Sequence, residues 1–176
     1  MILSTFSRLE PYRLHFFTAF MLSSAVFTWR MQQIPVHIVD GALAPDAAIT
    51  GYSPQQALNW YDAIGDQGRS VYFQMFLIDL FVVMPSYVLM LGAQLVATGC
   101  PGVLCYFVVA IACFDLIESL TTGCAVIGEW IPSEVHLLVA SAATQFKFVG
   151  IGLTLFLVAV YSALSYYRPV GKEKDS

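Results

Sequence analysis

Charge is scarce in this chain. Of 176 residues only 11% are Asp, Glu, Lys or Arg, where a soluble domain carries nearer a quarter. Basic charge is scarcer still: Lys and Arg number 8 against 12 Asp and Glu, for a net charge of −4. That balance excludes the basic face that a nucleic-acid partner needs. Cysteine chemistry is missing as well. Cys100, Cys105, Cys113 and Cys124 form no C-x-x-C pair and no mixed Cys/His set, so neither thiol–disulfide exchange nor a zinc centre is signalled. Three of them fall inside an apolar run, where Cys behaves as a small hydrophobe. No metal and no cofactor is expected.

What is present is apolar, at 58% of the residues, and it is gathered into long uncharged runs. A spanning helix needs about 20 mostly apolar residues. Four runs qualify, over 13–30, 71–97, 103–127 and 135–161. Pro85 falls inside the second and should bend it, because its missing N–H leaves a helical bond unmade. Gly99-Cys100-Pro101-Gly102 is long enough only for a hairpin between the second and third runs. Glu129-Trp130-Ile131-Pro132-Ser133-Glu134 makes the next hairpin, with Trp130 at interface depth. The first run could be read as a cleaved signal peptide. It shows no small-x-small cleavage site, however, and Phe27, Trp29 and Arg30 suit a retained anchor.

These features predict an all-α fold, an integral membrane four-helix bundle. Residues 1–168 form its single transmembrane domain and 169–176 a polar tail. Arg8 and Arg13 precede the first run, and Arg168, Lys172 and Lys174 follow the last. The first loop carries Arg69 and the bordering Arg30 against Asp40, Asp46, Asp62 and Asp66. Basic residues stay inside, so both termini are expected on the cytoplasmic (or equivalent) side, in a membrane the sequence does not identify.

The first loop is long for a connector, and its second half reads as a helix. Ser53-Pro54-Gln55-Gln56 supplies a Ser N-cap, Pro at the first helical position and Gln three residues after the cap. Ala57, Leu58, Tyr61 and Ile64 repeat at helical spacing, and Gly65 is a natural stop. The result is a short amphipathic helix on the outer face. It is either a lid over a cavity or a cap packed on the bundle, the cap being the simpler reading.

Candidate chemistry lies within the spans. Asp79 falls in the second, Asp115 and Glu118 in the third, Lys147 in the fourth. Each costs roughly 2.5–3.5 kcal/mol or more at the centre of a lone helix in lipid, so they need partners. Asp115 and Glu118 are spaced to share a helix face. Counting 1.5 Å per residue puts Asp115 near the midplane, Glu118 and Lys147 both roughly 4 Å outward, and Asp79 roughly 8 Å outward. Matched depth on consecutive antiparallel helices pairs Glu118 with Lys147, and Thr144, one turn before Lys147, could add a hydroxyl. Three acids against one lysine leave surplus negative charge. Either one carboxyl holds a proton, or a cavity supplies water or a cationic ligand. The plainer alternative is polar glue between helices. Gln74 and Gln145 are candidates to extend the network, while His15 and His136 read as interfacial and His37 as a loop residue.

Taken together these residues resemble an uncharacterised family of small four-helix membrane proteins. The shared pattern here is Gly68-Arg69-x-x-Tyr72 leading to Asp79 and Pro85, then Asp115-x-x-Glu118, then Thr144-x-x-Lys147, over about residues 53–150. The family usually has Asn after the acidic motif, and Ser119 stands there. The likeness adds Arg69 and Tyr72 as site candidates but implies no activity. The chain is also similar, more weakly, to the EXPERA group of emopamil-binding sterol isomerases and the sigma-2 receptor. That group has four helices, an elaborated first loop and intramembrane acids around a sterol or cationic-amine cavity. Asp40, after Ile34-Pro35-Val36-His37, and Asp79 occupy similar positions. The isomerases' fuller acid-and-histidine set does not occur in the third run, which weighs against catalysis.

Several functions compete. The first is binding of a small amphipathic or lipid-like molecule, cationic or hydroxylated to suit the surplus carboxylates. The second is a non-catalytic accessory subunit in contact with other membrane proteins. The third is a membrane isomerase shuttling protons through Asp115, Glu118 and Asp79. The fourth, a proton-coupled transporter, is disfavoured by the lack of an internal repeat. Beyond such a ligand or protein partner, only membrane lipids are implied. The four-span topology has a direct test. Single cysteines placed at Ser4, Ala48 and Ser176 should label with Ser4 and Ser176 on one face and Ala48 on the other. Labelling of all three from one face would refute it.

Overall fold

The computed structural model describes residues 2–34, 38–39, 42–128 and 130–167. They are helical almost throughout: α1 (Ile2–Leu9), α2 (Arg13–Met31), α3 (Pro54–Ala63), α4 (Gly65–Ile78), α5 (Met84–Ala97), α6 (Val103–Ile127) and α7 (Glu134–Tyr167). A minimal antiparallel ladder, β1 (Ile38–Val39) and β2 (Ala42–Leu43), interrupts the all-α pattern in the first loop.

Three helical stretches are long and apolar enough to cross a membrane: Gly65–Ala97, Val103–Ile127 and Glu134–Leu164. This is the construction of an integral membrane protein. α2 is not among them, because His15, Ser23, Ser24 and Arg30 dilute its apolar run. It packs along α4 and α5 nonetheless. The second helix begins at Gly65 instead of Val71. Asp66, Gln67, Arg69 and Ser70 are too polar for a lipid-based reading of the span, yet nothing in them stops a helix. α7 likewise runs on to Tyr167, since no proline or glycine intervenes after Gly152. At 34 residues it is about 50 Å long, against roughly 30 Å of bilayer hydrocarbon.

Pro85 does not simply bend its helix. The residues before it, Asp79–Val83, form a π turn, in which the Met84 N–H reaches back to the Asp79 carbonyl. The wider turn accommodates the missing Pro85 N–H and the bulk of its ring. It joins α4 to α5 without ending the helix.

The amphipathic loop helix is α3. Ser53 accepts a hydrogen bond from the Gln56 N–H at 3.2 Å, and the Ser53 N–H donates to Gln56 Oε1 at 2.8 Å, the two halves of a capping box. Ala57, Trp60, Tyr61 and Ile64 are buried and Leu58 is half-buried, so Trp60 takes the central place that the sequence pattern gave to Leu58. The preceding loop is anchored by the Tyr52 N–H, which donates to Ser141 Oγ on α7 at 2.8 Å.

α1 was not expected. Its Phe6 is buried and lies where a side chain at Gly92 of α5 would otherwise be, so close that a Cβ on Gly92 would enter the ring. Two apolar layers make up the interior. At the α3 end Trp60, Tyr72, Met75, Val126, Leu137 and Ala140 pack together. At the α1 end Met84, Tyr87, Leu91, Leu95, Val108 and Ile111 do so.

Docking of α1 can be tested at its notch. Gly92→Ala should destabilise the protein by about 1–3 kcal/mol through overpacking. Adding Phe6→Ala should make the combined loss smaller than the sum of the two single losses, measured by thermal unfolding in detergent. Strict additivity would show that Phe6 does not occupy the notch.

Candidate functional site

Between the two apolar layers lies a layer of charge. Asp115 and Glu118 project from the same face of α6, one turn apart, and α7 runs antiparallel beside it. Lys147 on α7 reaches both: its Nζ donates to Asp115 Oδ1 at 2.8 Å and to Glu118 Oε2 at 2.9 Å. Depth arguments pair Lys147 with Glu118 and put Asp115 and Asp79 nearby, without giving the lysine a second bond. Depth fixes only the position along the helix, and the flexible lysine stem spans the single turn between the two acids. All three are buried, with Glu118 at 0%, Asp115 at 1% and Lys147 at 8% exposure. The second Asp115 oxygen accepts from the Tyr87 hydroxyl of α5 at 2.7 Å.

Asp79 lies beside this triad, on the same cleft as Asp115 and Lys147. It caps α4 at the start of the π turn and accepts from Ser119 Oγ at 3.0 Å. Among the described residues no cationic group forms an ion pair with it. Ser119 therefore supplies a hydroxyl that orients Asp79.

A half-open cleft of about 200 Å³ meets this layer. Asp79, Tyr87, Asp115 and Lys147 form its polar wall, and Phe20 and Phe27 of α2 with Phe148 of α7 form its apolar wall. Ser24 and Thr28 of α2, Val83 of the π turn and Ile151 of α7 complete the lining. Glu118 is not part of it. α2 packs on α4, the π turn and α5, while α7 packs chiefly on α6, with little contact between α2 and α7. The cleft occupies the gap between those two helices.

Other sequence candidates fall elsewhere. Thr144 is fully buried, but its hydroxyl donates to the Ala140 carbonyl of its own helix at 3.1 Å and adds nothing to the cluster. Gln74 and Gln145 are exposed and do not extend it. Arg69 and Tyr72 belong to the α3 end. Arg69 donates to the carbonyls of Tyr61 and Val126 at 3.0 and 3.2 Å, in the last turns of α3 and α6, where backbone carbonyls lack helical partners. The left-handed Gly128 (φ 79°) then ends α6 beneath the guanidinium. Tyr72 is buried edge-on against Trp60, ring centroids 5.3 Å apart. His15 and His136 are exposed, and the His136 ring meets Trp130 edge-on at 4.8 Å. Asp40 and His37 lie outside the described residues.

Tyr87, Ser119 and the α2 lining were not anticipated as site residues. Tyr87 had one signal, a phenol two residues after Pro85 in a largely apolar stretch. Among the described residues, no group of three or more His, Cys, Asp or Glu is arranged to hold a metal ion. No protein-family model, no curated protein and no solved structure matches the chain.

The triad predicts a graded response to charge removal. Lys147→Met leaves two buried carboxylates uncompensated and should cost about 3–5 kcal/mol. Adding Glu118→Gln should recover only part of that loss, because Asp115 keeps its charge beside Tyr87. Adding Asp115→Asn as well should recover most of it. Thermal unfolding of the series in detergent measures this, and simple additivity of the losses would contradict the shared-lysine geometry.

Proposed function

We propose that the protein spans the membrane four times and binds a small amphipathic, lipid-like molecule, whose polar head enters the cleft between α2 and α7. The observation that carries this reading is the cleft itself. Carboxylate, ammonium and phenol groups meet aromatic rings there, at the level where the helices are otherwise apolar. Ligand sites typically combine such apolar walls with a few placed polar groups. A volume of about 200 Å³ suits a head group, with the apolar remainder of the ligand left along the outside of α2 and α7.

The surroundings support access from the lipid. α2 exposes Leu14, Phe17, Met21, Leu22, Val26 and Trp29, which recur on one side of the helix and suit lipid contact despite its polar interruptions. This face supports α2 as the fourth crossing, with both termini on one side. α7 exposes Phe146, Val149, Leu153 and Phe156. An occupant would therefore slide in laterally between two lipid-facing helices. Asp79, an acid on the cleft wall that forms no ion pair among the described residues, favours a cationic or hydroxylated head.

Binding is preferred to the isomerase reading on geometry. Glu118 is wholly buried and outside the cleft, and Asp115 has both oxygens engaged. A proton shuttle through all three acids would need each to reach the reacting molecule.

The test fills the cleft. Protein extracted gently in nanodiscs should carry a co-purifying small molecule, seen by native mass spectrometry. Ser24→Trp should abolish that adduct while the melting temperature stays near that of the original chain. If every adduct of the parent survives the tryptophan, or the parent carries none, the proposal is overturned.

A further inference from the structure

Arg69 separates two clefts at the α3 end, away from the charged layer. One, of about 440 Å³, lies between α3 and the α6–α7 connection, with Gln55, Asp62, Trp130 and Ile131 in its walls. The other, of about 320 Å³, runs between α4 and α6 and is lined by Asp66, Ser70, Phe73, Val126 and Ile127. Arg69 lines both. Phe73 and Ile127 are exposed apolar residues, and Phe73 lies one turn further along α4 than Arg69. The second cleft is thus an apolar slot leading away from a guanidinium.

Arg69 is not exhausted by its structural bonds. A guanidinium offers five N–H groups, and two are used on the Tyr61 and Val126 carbonyls. The side chain keeps 31% exposure, with Asp62 at 3.9 Å. Asp62 and Asp66 are both exposed. Along this surface the order is therefore apolar slot, cation with spare donors, then carboxylates. An aminophospholipid presents the complementary order of acyl chain, phosphate and primary ammonium.

We propose that the two clefts around Arg69 bind the head group of an aminophospholipid. The phosphate takes the spare Arg69 N–H groups. The ammonium donates to Asp62 and Asp66, and one acyl chain lies between Phe73 and Ile127. A phospholipid with no ammonium would bring its negative charge to a place already flanked by two carboxylates and the carbonyl ends of α3 and α6. A quaternary head group has no N–H to donate. The site is independent of the cleft between α2 and α7.

The experiment uses the full chain in nanodiscs containing equal parts phosphatidylethanolamine, phosphatidylglycerol and phosphatidylcholine. Native mass spectrometry reads the lipid retained after the disc is stripped. Phosphatidylethanolamine should be retained preferentially. Asp62→Asn with Asp66→Asn should lower that preference by about tenfold, the worth of a charged hydrogen bond. Both acids are exposed, so this variant should melt like the parent. Arg69→Gln should also lose the lipid, but it unties two helix ends, so the acid pair carries the test. The Ser24→Trp variant should keep the preference, which separates this site from the other cleft. Equal retention of the three lipids, retention unaffected by the acid substitutions, or no retained lipid would each overturn the proposal.

Discussion

A lysine held between two carboxylates organises this protein. Lys147 is the cation of a buried layer, and its two bonds tie α7 to successive turns of α6. Burying a charge is costly unless it is paired and hydrogen-bonded. That cost acts as a constraint on register. Sliding α7 by one residue would swing Lys147 off the α6 face and leave three charges uncompensated, whereas apolar contacts alone would tolerate many such slips. The apolar layers on either side supply contact area, and the charged layer fixes how the two helices align. Tyr87 extends the constraint to α5 through the other Asp115 oxygen.

The π turn extends it to the remaining acid. Asp79 opens the turn and reaches Ser119, directly after Glu118 on α6. Pro85 makes the wider turn favourable, and the wider turn brings Asp79 and Tyr87 to the same cleft. A proline whose side chain is exposed thereby shapes a polar site that it does not touch through any polar atom. Asp79 and the gap between α2 and α7 coincide there.

Much of this was legible in the sequence, for identifiable reasons. The apolar runs mark the three helices long and apolar enough to cross a membrane, because lipid demands length and composition more than particular residues. The Ser53–Gln56 capping box is local, so it reads directly from four consecutive residues. The charged layer was visible because Asp115, Glu118 and Lys147 are costly anywhere else. What sequence could not supply were features that depend on a partner. Phe6 has meaning only against the notch at Gly92, and α1 is too short to announce itself by length. Thr144 has the depth to join the cluster, yet it turns its hydroxyl to Ala140, a choice made by rotamer and not by position. Arg69 and Tyr72, singled out by resemblance, hold α3 and the helix ends together. Asp40 lies outside the described residues.

The π turn also has a bearing on how such a chain can change over generations. A wide turn is what a helix makes when it absorbs an extra residue without breaking. Loss of any one residue within Asp79–Val83 would leave an ordinary α-helix of nearly the same length, still apolar and still able to cross a bilayer. Its two halves, however, would be rotated relative to each other by about 100°, the angle of one helical residue. Asp79 and Tyr87 could then no longer serve the same cleft. A single-codon deletion there would preserve the membrane helix and dismantle the site, whereas most substitutions along the same stretch would preserve both.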